Sequence, residues 1–452
     1  MRDSAFWDLA QDRTLGLLVV VSFLLTLRIW LGIPVWDAGF EPFNPRPSNP
    51  EDPGLSNILA PGVILIHQGR DVHFGIPNGT EDFKAVWQGG KTLVQALSAI
   101  SGARRDAPQA AEIAQARAEG PSLEFVFDEG YQLSTLAKVL GAELPEANVT
   151  VNRLIMLASK TPVIYVRTYP KLEYVAYTVK PESTEVFGLA KKGLSASTPR
   201  YVELPKNIGE LQVAPGTYAL RDTLQMAPLN VQADPTPAEG VLSTFFVDLK
   251  ILRTIVERDG ATIYSDGKRG ARAYPAGAVE YSQPQPGDPE VDKVTAIERA
   301  AKFAVQHGGL PATACVDKVI TGTKAGESSR VQFGFRFSGT PIIGVRGIIS
   351  VSLNSKGIEA FLRNFRIPIG QTGQYRSVLS PRDALASIAS QSAKLFGDVS
   401  PGQVISMELA YLVGTPSDPV EVLQPVWKVE FSSGASVVAG AYTGQASRRP
   451  AQ

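Results

Sequence analysis

A single apolar run near the amino terminus constrains this chain more than any other feature. Residues 14–33 read TLGLLVVVSFLLTLRIWLGI and carry one charge, Arg28. A helix rises about 1.5 Å per residue, so a run of this length spans the roughly 30 Å hydrocarbon core of a bilayer. Trp30 suits the aromatic belt at the membrane interface, Arg28 lies close enough to that interface to snorkel, and Pro34 ends the helix. The run therefore predicts a transmembrane anchor.

Two alternatives compete with an uncleaved anchor. A buried core helix is disfavoured because the run lies at the extreme amino terminus and is apolar all round. A cleaved signal peptide has a shorter apolar core, about 7–15 residues, followed by a cleavage site of small residues. Here the run is longer and continues through Ile33 and Pro34 to Trp36, which a signal peptidase would not favour.

The charges beside the run predict its orientation. Arg2 and Arg13 precede the run and favour a cytoplasmic amino terminus, with the bulk of the chain outside a bacterial cell membrane.

Composition narrows the class of protein further. The chain has 452 residues with 44 Lys and Arg against 44 Asp and Glu, and this balance argues against a nucleic-acid binder, which needs a concentrated basic surface. One cysteine, Cys315, excludes internal disulfides and cysteine-based metal centres. No second apolar run of similar length follows the first, so the sequence predicts a single-pass protein.

The rest of the chain predicts an α+β fold with antiparallel sheets. The sequence predicts a cytoplasmic tail at 1–13, the anchor at 14–33 and a Pro-rich spacer at 34–58. Three extracytoplasmic domains follow: an α+β domain at 59–182, a central domain at 183–286 and an α+β domain at 287–452. A helix followed by antiparallel strands occurs twice in the last domain. Specific elements include a strand at 63–67, helices at 133–140 and 243–257, and helices begun by Thr80 and by Ser380.

Catalytic and metal-binding motifs are weak in this sequence. The patterns H-E-x-x-H, G-x-S-x-G and G-x-G-x-x-G do not occur. Ser265 and Lys268 have the spacing of a serine–lysine dyad, but Asp266-Gly267 between them predicts a hairpin turn. His67 and His73 flank a tight turn and could converge on a metal, although no third ligand is evident. We expect no catalytic residue, no metal and no cofactor.

The predicted anchor has one polar face. Ser22 and Thr26 are four residues apart, the small-xxx-small spacing that lets two membrane helices approach closely. Ile29 and Trp30 extend the same stripe, with Ile33 as an alternative to Trp30. Chance placement of small residues is the competing explanation. We predict this stripe as a binding face for another transmembrane helix.

Several ordered segments resemble the YycH family, extracytoplasmic regulators of the WalK sensor histidine kinase. The most specific segment is STFFVDLKILRTIVERDGATIYSDGKRG at 243–270, which leads to VEYSQP at 279–284. SLEFVF at 122–127, QHGGLP at 306–311 and PVWKV at 425–429 complete the set. Together with the single span and the total length, the resemblance covers essentially the whole chain.

The resemblance implies a non-enzymatic regulator. A member of this family joins a second single-pass protein, YycI, whose soluble fold is related to part of YycH and, by this resemblance, to residues 287–452. Together the two set the output of WalK, and through it cell-wall homeostasis, by contacts between transmembrane helices. An envelope assembly module without signalling is the first alternative, and a serine envelope hydrolase built on Ser265 and Lys268 is the second.

Overall fold

The computed structural model describes residues 54–449, except 70–71, 99, 104–107, 120, 143, 145–148, 158–162, 180–193, 195–197, 222–224, 235–237, 291, 325, 345–347 and 415–419. The predicted tail, the anchor and most of the spacer lie outside these residues. All described residues belong to one compact unit, Pro47–Gln452. The division into three extracytoplasmic domains stays a prediction.

Strands and helices are numbered in chain order. The helices are α1 (Leu55–Ile58), α2 (Glu81–Trp87), α3 (Lys91–Ser98), α4 (Ala110–Glu119), α5 (Leu133–Leu140), α6 (Ala238–Leu242), α7 (Lys293–Gln306), α8 (Pro381–Ser390) and α9 (Ser392–Phe396). Short 3-10 turns lie at Gln88–Gly90 and Leu249–Ile251.

The strands are β1 (Val63–His67), β2 (His73–Pro77), β3 (Ile100–Ala103), β4 (Ser122–Gln132), β5 (Thr150–Leu157), β6 (Val163–Thr168), β7 (Tyr174–Val179), β8 (Arg200–Glu203), β9 (Asn207–Ile208), β10 (Leu211–Gln212), β11 (Tyr218–Leu220), β12 (Gln225–Met226), β13 (Leu229–Ala233), β14 (Arg253–Val256), β15 (Thr262–Ser265), β16 (Gly270–Ala273), β17 (Val279–Ser282), β18 (Ala314–Ile320), β19 (Ser329–Phe337), β20 (Thr340–Gly344), β21 (Ile349–Asn354), β22 (Gly357–Arg363), β23 (Arg366–Gln371), β24 (Arg376–Ser377), β25 (Val404–Val413), β26 (Val420–Leu423), β27 (Pro425–Phe431), β28 (Ser436–Gly440) and β29 (Ala446–Arg448).

The first large sheet is antiparallel and has the strand order β11-β8-β2-β1-β4-β5-β6-β7-β3. One face carries large apolar side chains such as Phe125, which join the main core together with residues of α2, α3 and α5. The Trp87 ring of α2 lies 6.1 Å from the Phe125 ring. On the other face α4 packs Ile113 against Ile155 and Tyr165. Both faces of this sheet are therefore covered.

The second large sheet runs β14-β15-β16-β17-β22-β21-β19-β20-β25-β27-β28-β29, with β18 also paired to β19. Its pairs are antiparallel except β20 with β25. The amphipathic helix α7 packs on β19 and β21 through a buried face that includes Ile297 and Ala304. β18 and α7 also contact β4 of the first sheet. The two sheets thus share one apolar core.

The described residues also form three small sheets. β9 pairs with β10, β12 pairs with β24, and β13 lies between β23 and β26. The predicted class, α+β with antiparallel sheets and few helices, is confirmed.

Local sequence signals placed several elements correctly. α5 spans Leu133–Leu140 as predicted and ends at Gly141, which has a positive φ of 84°. The Ser380 side chain accepts the backbone N–H of Asp383, which begins α8 as predicted, and Thr80 does the same for Phe83 in α2. These caps satisfy backbone groups that a helix end leaves free.

The helix predicted at 243–257 is wrong. After α6 and the turn at Leu249–Ile251, the chain forms strand β14, which pairs with β15. The three-residue spacing of Phe246, Leu249, Leu252 and Ile255 suggested a helix, but the β-branched run Thr254-Ile255-Val256 favours a strand when a partner strand follows closely in the chain. Likewise the single helix predicted after Thr80 is broken by a left-handed Gln88 and by Gly89.

Candidate functional site

The stripe predicted as a binding face, Ser22, Thr26, Ile29 and Trp30, lies outside the described residues. Within the part of the chain that the structure covers, no helix is both long enough and apolar enough to cross a bilayer. The binding face therefore stays a prediction.

His67 and His73 do converge, as their positions around a turn predict. β1 and β2 pair them directly, and their Nδ1 atoms lie 2.8 Å apart. His67 Nε2 lies 3.2 Å from Glu124 Oε2 on the neighbouring strand β4. The Tyr218 ring lies 5.0 Å from the His67 ring and 4.9 Å from the His73 ring. This small polar cluster lies on the α4 side of the first sheet.

Two arginines set the charge of this cluster. Arg117 from α4 and Arg153 from β5 each donate to the Glu124 carboxylate at 2.8 Å. Burial alone would raise the pKa of Glu124, but the two guanidinium groups hold it well below its ordinary value. Glu124 is therefore an anion, fully buried between two buried cations.

The proton positions follow from this charge. A carboxylate only accepts hydrogen bonds, so His67 Nε2 carries the proton and donates to Glu124. Burial lowers the pKa of His67, which keeps the ring neutral and leaves its Nδ1 as an acceptor. His73 Nδ1 must then donate to His67 Nδ1.

The same arrangement opposes metal binding at His67 and His73. Among the described residues, no group of three His, Cys, Asp or Glu side chains is placed to hold a metal ion. The carboxylate bonded to His67, that of Glu124, is already held by Arg117 and Arg153. The chemistry of this cluster is that of a buried hydrogen-bond network, which links β1, β2, β4, β5 and α4.

Ser265 and Lys268 lie in the hairpin turn that the sequence predicts. Ser265 Oγ donates to the Arg269 carbonyl and accepts the Gly267 N–H, and Asp266 accepts the N–H groups of Lys268 and Arg269. The serine oxygen is therefore engaged in turn hydrogen bonds. A serine–lysine dyad needs both side chains on one helix face, and this turn does not provide one.

Cys315, the one cysteine of the chain, is not exposed as a nucleophile. It is buried on β18, and burial raises the pKa of its thiol to about 12. The thiolate is the reactive form of a cysteine, and the raised pKa disfavours that form at neutral pH.

A groove of about 270 Å³ lies on the second sheet. It lies on the side away from α7, because Val351 and Leu353 of β21 point into the core and the alternate residues point outward. The strands that form the groove are neighbours in the sheet order β15-β16-β17-β22-β21-β19. Their register aligns the polar side chains of the groove in two rows. The polar side chains that line it are Arg272, Glu280, Ser282, Arg330, Ser350 and Ser352.

A second buried charge network links the late strands, and the sequence did not reveal it. Asp317 of β18 accepts from Arg449 at 2.6 Å and from Lys428 of β27 at 3.1 Å. Arg336 of β19 lies 3.4 Å from Asp128 and 3.6 Å from Glu408. Burial, with the nearby Glu408 charge, raises the pKa of Asp128 to about 7.

The signal for this network was ambiguous. Lys428 and Glu430 alternate with apolar residues on β27, a pattern that normally marks a solvent-facing row. In the structure this row is covered, and Lys428 is only 3% exposed.

Comparison with known proteins identifies the fold. No protein-family model matches the chain, and no curated protein matches it. The crystal structure of YycH from Bacillus subtilis matches with a TM-score of 0.56 at 14% sequence identity, over 88% of this chain and 97% of that chain. An uncharacterized protein from Eubacterium rectale matches over 56% of this chain and 94% of that chain, at 13% identity, with a TM-score of only 0.30. The YycH fold predicted from the sequence is confirmed.

Proposed function

We propose that this chain, which has the fold of YycH, is a membrane-anchored, non-enzymatic regulator of a WalK-type sensor histidine kinase. The fold match carries the proposal, because it covers 88% of this chain and nearly the whole of YycH. The apolar run at 14–33 ahead of the folded part supports an anchored protein with its bulk outside the cell membrane. A YycI-like single-pass protein and the kinase are the proposed partners.

The proposed mechanism works through the anchor. Ser22 and Thr26 would let a kinase transmembrane helix approach closely, with Ile29 and Trp30 packing beside them. Each polar contact of this kind contributes roughly 0.6–2 kcal/mol. A difference of that size between two kinase states changes their ratio several-fold.

The described residues support a role without catalysis. Ser265 is engaged in a turn, and His67 and Glu124 are engaged in a buried network. Cys315 is buried with a raised thiol pKa. A binding role uses surfaces instead, and the polar groove and the anchor are both available for it.

A crosslinking pulldown tests the proposed function. The full-length protein in its native membrane is compared with a version in which an unrelated span replaces residues 14–33. We expect a YycI-like protein and a histidine kinase with the natural anchor, and loss of the kinase with the foreign one. Capture of the YycI-like protein without any kinase in either version would favour an assembly module without signalling.

Point variants test the predicted face of the anchor. Ser22→Leu or Thr26→Leu should change kinase-dependent phosphorylation of the response regulator at normal protein abundance. Val20→Leu is the control, since at 100° per residue it lies on the opposite side of the helix and places the same leucine side chain there. Equal phosphorylation in all three variants would contradict the helix-face mechanism.

A further inference from the structure

Strand β14 is an exposed edge of the second sheet. Among the described residues it pairs only with β15, and all four of its residues are exposed. Its outer side therefore presents backbone N–H and C=O groups with no described strand beside them. Such an edge is a template for adding another strand.

Apolar side chains concentrate around this edge. Val247 is fully exposed, Ile251 is 79% exposed and Val256 is 70% exposed. Cross-strand register places Val256 on the sheet face that carries buried Ala271 and Tyr281 farther in. The core face of the sheet thus continues to β14 without the cover that it has elsewhere.

On the other face of the sheet, β14 adjoins the groove. Ile255 is 43% exposed and lies opposite Ile263, which lines the groove. Isolated exposed apolar residues are ordinary, whereas two on β14 and two more in the segment that leads into it mark an interaction surface.

The charges at this edge are unbalanced. Lys250, Arg253 and Arg258 are exposed, and within the described residues no acidic side chain pairs with them. The nearby acids are engaged elsewhere: Glu257 and Asp259 with Arg272, Asp266 with Arg269, and Asp248 with the Lys250 N–H. The edge therefore presents aliphatic side chains among cations that lack a described acidic partner.

We propose that β14 docks an extended segment of a partner protein, one with acidic residues among aliphatic ones, as an added strand of the second sheet. Main-chain hydrogen bonds would supply affinity, and the acidic side chains would pair with Arg253 and its neighbours. A second copy of this chain fits poorly, because two such edges would bring their cations together. The inference rests on the proposed function, in which partner proteins lie beside this chain.

Site-specific photocrosslinking tests the docking strand. A photoreactive residue replaces Val256 in the full-length protein in its native membrane. The matched control position is Ile369, an apolar residue that is 57% exposed on β23 of a different sheet. We expect an adduct with one partner protein from position 256 and none from position 369. The crosslinked peptide, identified by mass spectrometry, should carry Asp or Glu within two residues of the attachment.

Charge reversal tests the chemistry of the partner. Arg253→Glu with Arg258→Glu should lower the adduct yield about tenfold, because two attractive pairs become repulsive. Arg382→Glu, at an exposed site on α8, is the control and should leave the yield unchanged. All variants should keep the thermal midpoint of the parent, since the substituted side chains are exposed.

Four outcomes would overturn the proposal. They are an adduct between two copies of this chain, an adduct within the chain, equal labelling from positions 256 and 369, and a yield that charge reversal leaves unchanged. The anchor-dependent kinase capture separates this inference from the proposed function. Kinase capture without an adduct at 256 refutes only the docking strand, whereas an adduct without kinase capture refutes only the proposed regulation.

Discussion

Glu124 is compensated by side chains from three different elements. Arg117 of α4, Arg153 of β5 and His67 of β1 all donate to its carboxylate. Both arginines are nearly inaccessible, with side chains 5% and 2% exposed. Removing one member of a buried ion network costs much more than the network itself contributes, because the remaining charges stay buried.

We predict that Glu124→Gln lowers the free energy of unfolding by about 3–5 kcal/mol, because it leaves two buried guanidinium groups without an anion. Glu81→Gln is the control. It removes the charge from an ion pair with Lys84 whose side chains are 85% and 67% exposed, and should cost at most about 0.5 kcal/mol. Denaturant unfolding of the purified protein measures both. Equal midpoints for the two variants would contradict the buried network.

The His67 ring gives a prediction about pH. Its pKa in the folded protein lies below the ordinary value of 6.5 because the ring is buried. Below about pH 6.5 the histidine of the unfolded chain binds a proton, whereas the buried ring of the folded chain stays neutral to lower pH. The contribution of His67 to the free energy of unfolding is therefore fully present above about pH 6.5 and falls as the pH decreases. Asp128, with its pKa raised to about 7, works in the opposite direction.

Comparison of two proteins isolates the contribution of the histidine. We expect His67→Gln to lose less stability than the parent between about pH 7.5 and about pH 5.5, because glutamine can still donate to Glu124 but does not titrate. Thermal midpoints at both pH values measure this, and the Asp128 contribution is present in both proteins. The same pH dependence in variant and parent would show that His67 is not held neutral.

At the scale of elements, caps and periodicity predicted structure where both agreed. α5 and α8 have an apolar face and an end signal, Gly141 for one and Ser380 for the other. Residues 243–257 show an apolar spacing typical of a helix, but their strand is set by pairing with residues 262–265. Long-range pairing of this kind overrides a local pattern, so a single sequence could not reveal it. For the same reason Glu124 was predicted within a strand without its burial under α4.

The turn before β11 depends on α4. Gly216 has a φ of 71°, and a Cβ atom there would lie 2.6 Å from Arg117 Nη1. Arg117 cannot swing aside freely, because it is buried and bonded to Glu124. The Gly216 carbonyl also accepts from Arg153. This glycine is therefore required both for its backbone angle and for the space beside it.

We predict that Gly216→Ala destabilises the protein by about 1–3 kcal/mol more than Gly434→Ala. Gly434 has a similar φ of 82°, but no described atom lies within 4 Å of the place that an alanine methyl group would take. Both substitutions carry the cost of a left-handed alanine, so their difference reports the contact with Arg117. Denaturant midpoints measure that difference. Equal destabilisation would mean that Arg117 relaxes without cost.

At the scale of the whole molecule, buried charges join distant parts of the chain. Arg153 of the first sheet donates to the carbonyl of Ile405 in the second at 3.1 Å. Lys293 of α7 pairs with Glu129 of β4, and Glu129 also accepts the Val319 N–H of β18. Residue types and spacing predict strands and helices, but they contain no signal for which of 44 cations meets which of 44 anions. The folds of the two sheets were therefore predictable in class, and their junction was not.

The end of the described chain is held by the same kind of contact. Arg449 donates to both oxygens of Asp317, 132 residues earlier, and to the carbonyl of Gly344 at 2.8 Å. Although burial favours the neutral acid, Arg449 and Lys428 hold the pKa of Asp317 well below its ordinary value. These contacts hold the segment that carries Arg449 against β18.

We predict that Arg449→Met costs about 3–5 kcal/mol, because it leaves the buried Asp317 with Lys428 as its one described cation. Arg448→Met is the matched control: the preceding residue is exposed, and its loss should change stability by less than about 0.5 kcal/mol. The loss in Arg449→Met should shrink as the pH falls below about 3.8, since a protonated Asp317 no longer needs a cation. Denaturant unfolding at neutral and acidic pH measures both effects. A loss that is the same at both pH values would mean that Arg449 acts by packing and not by charge.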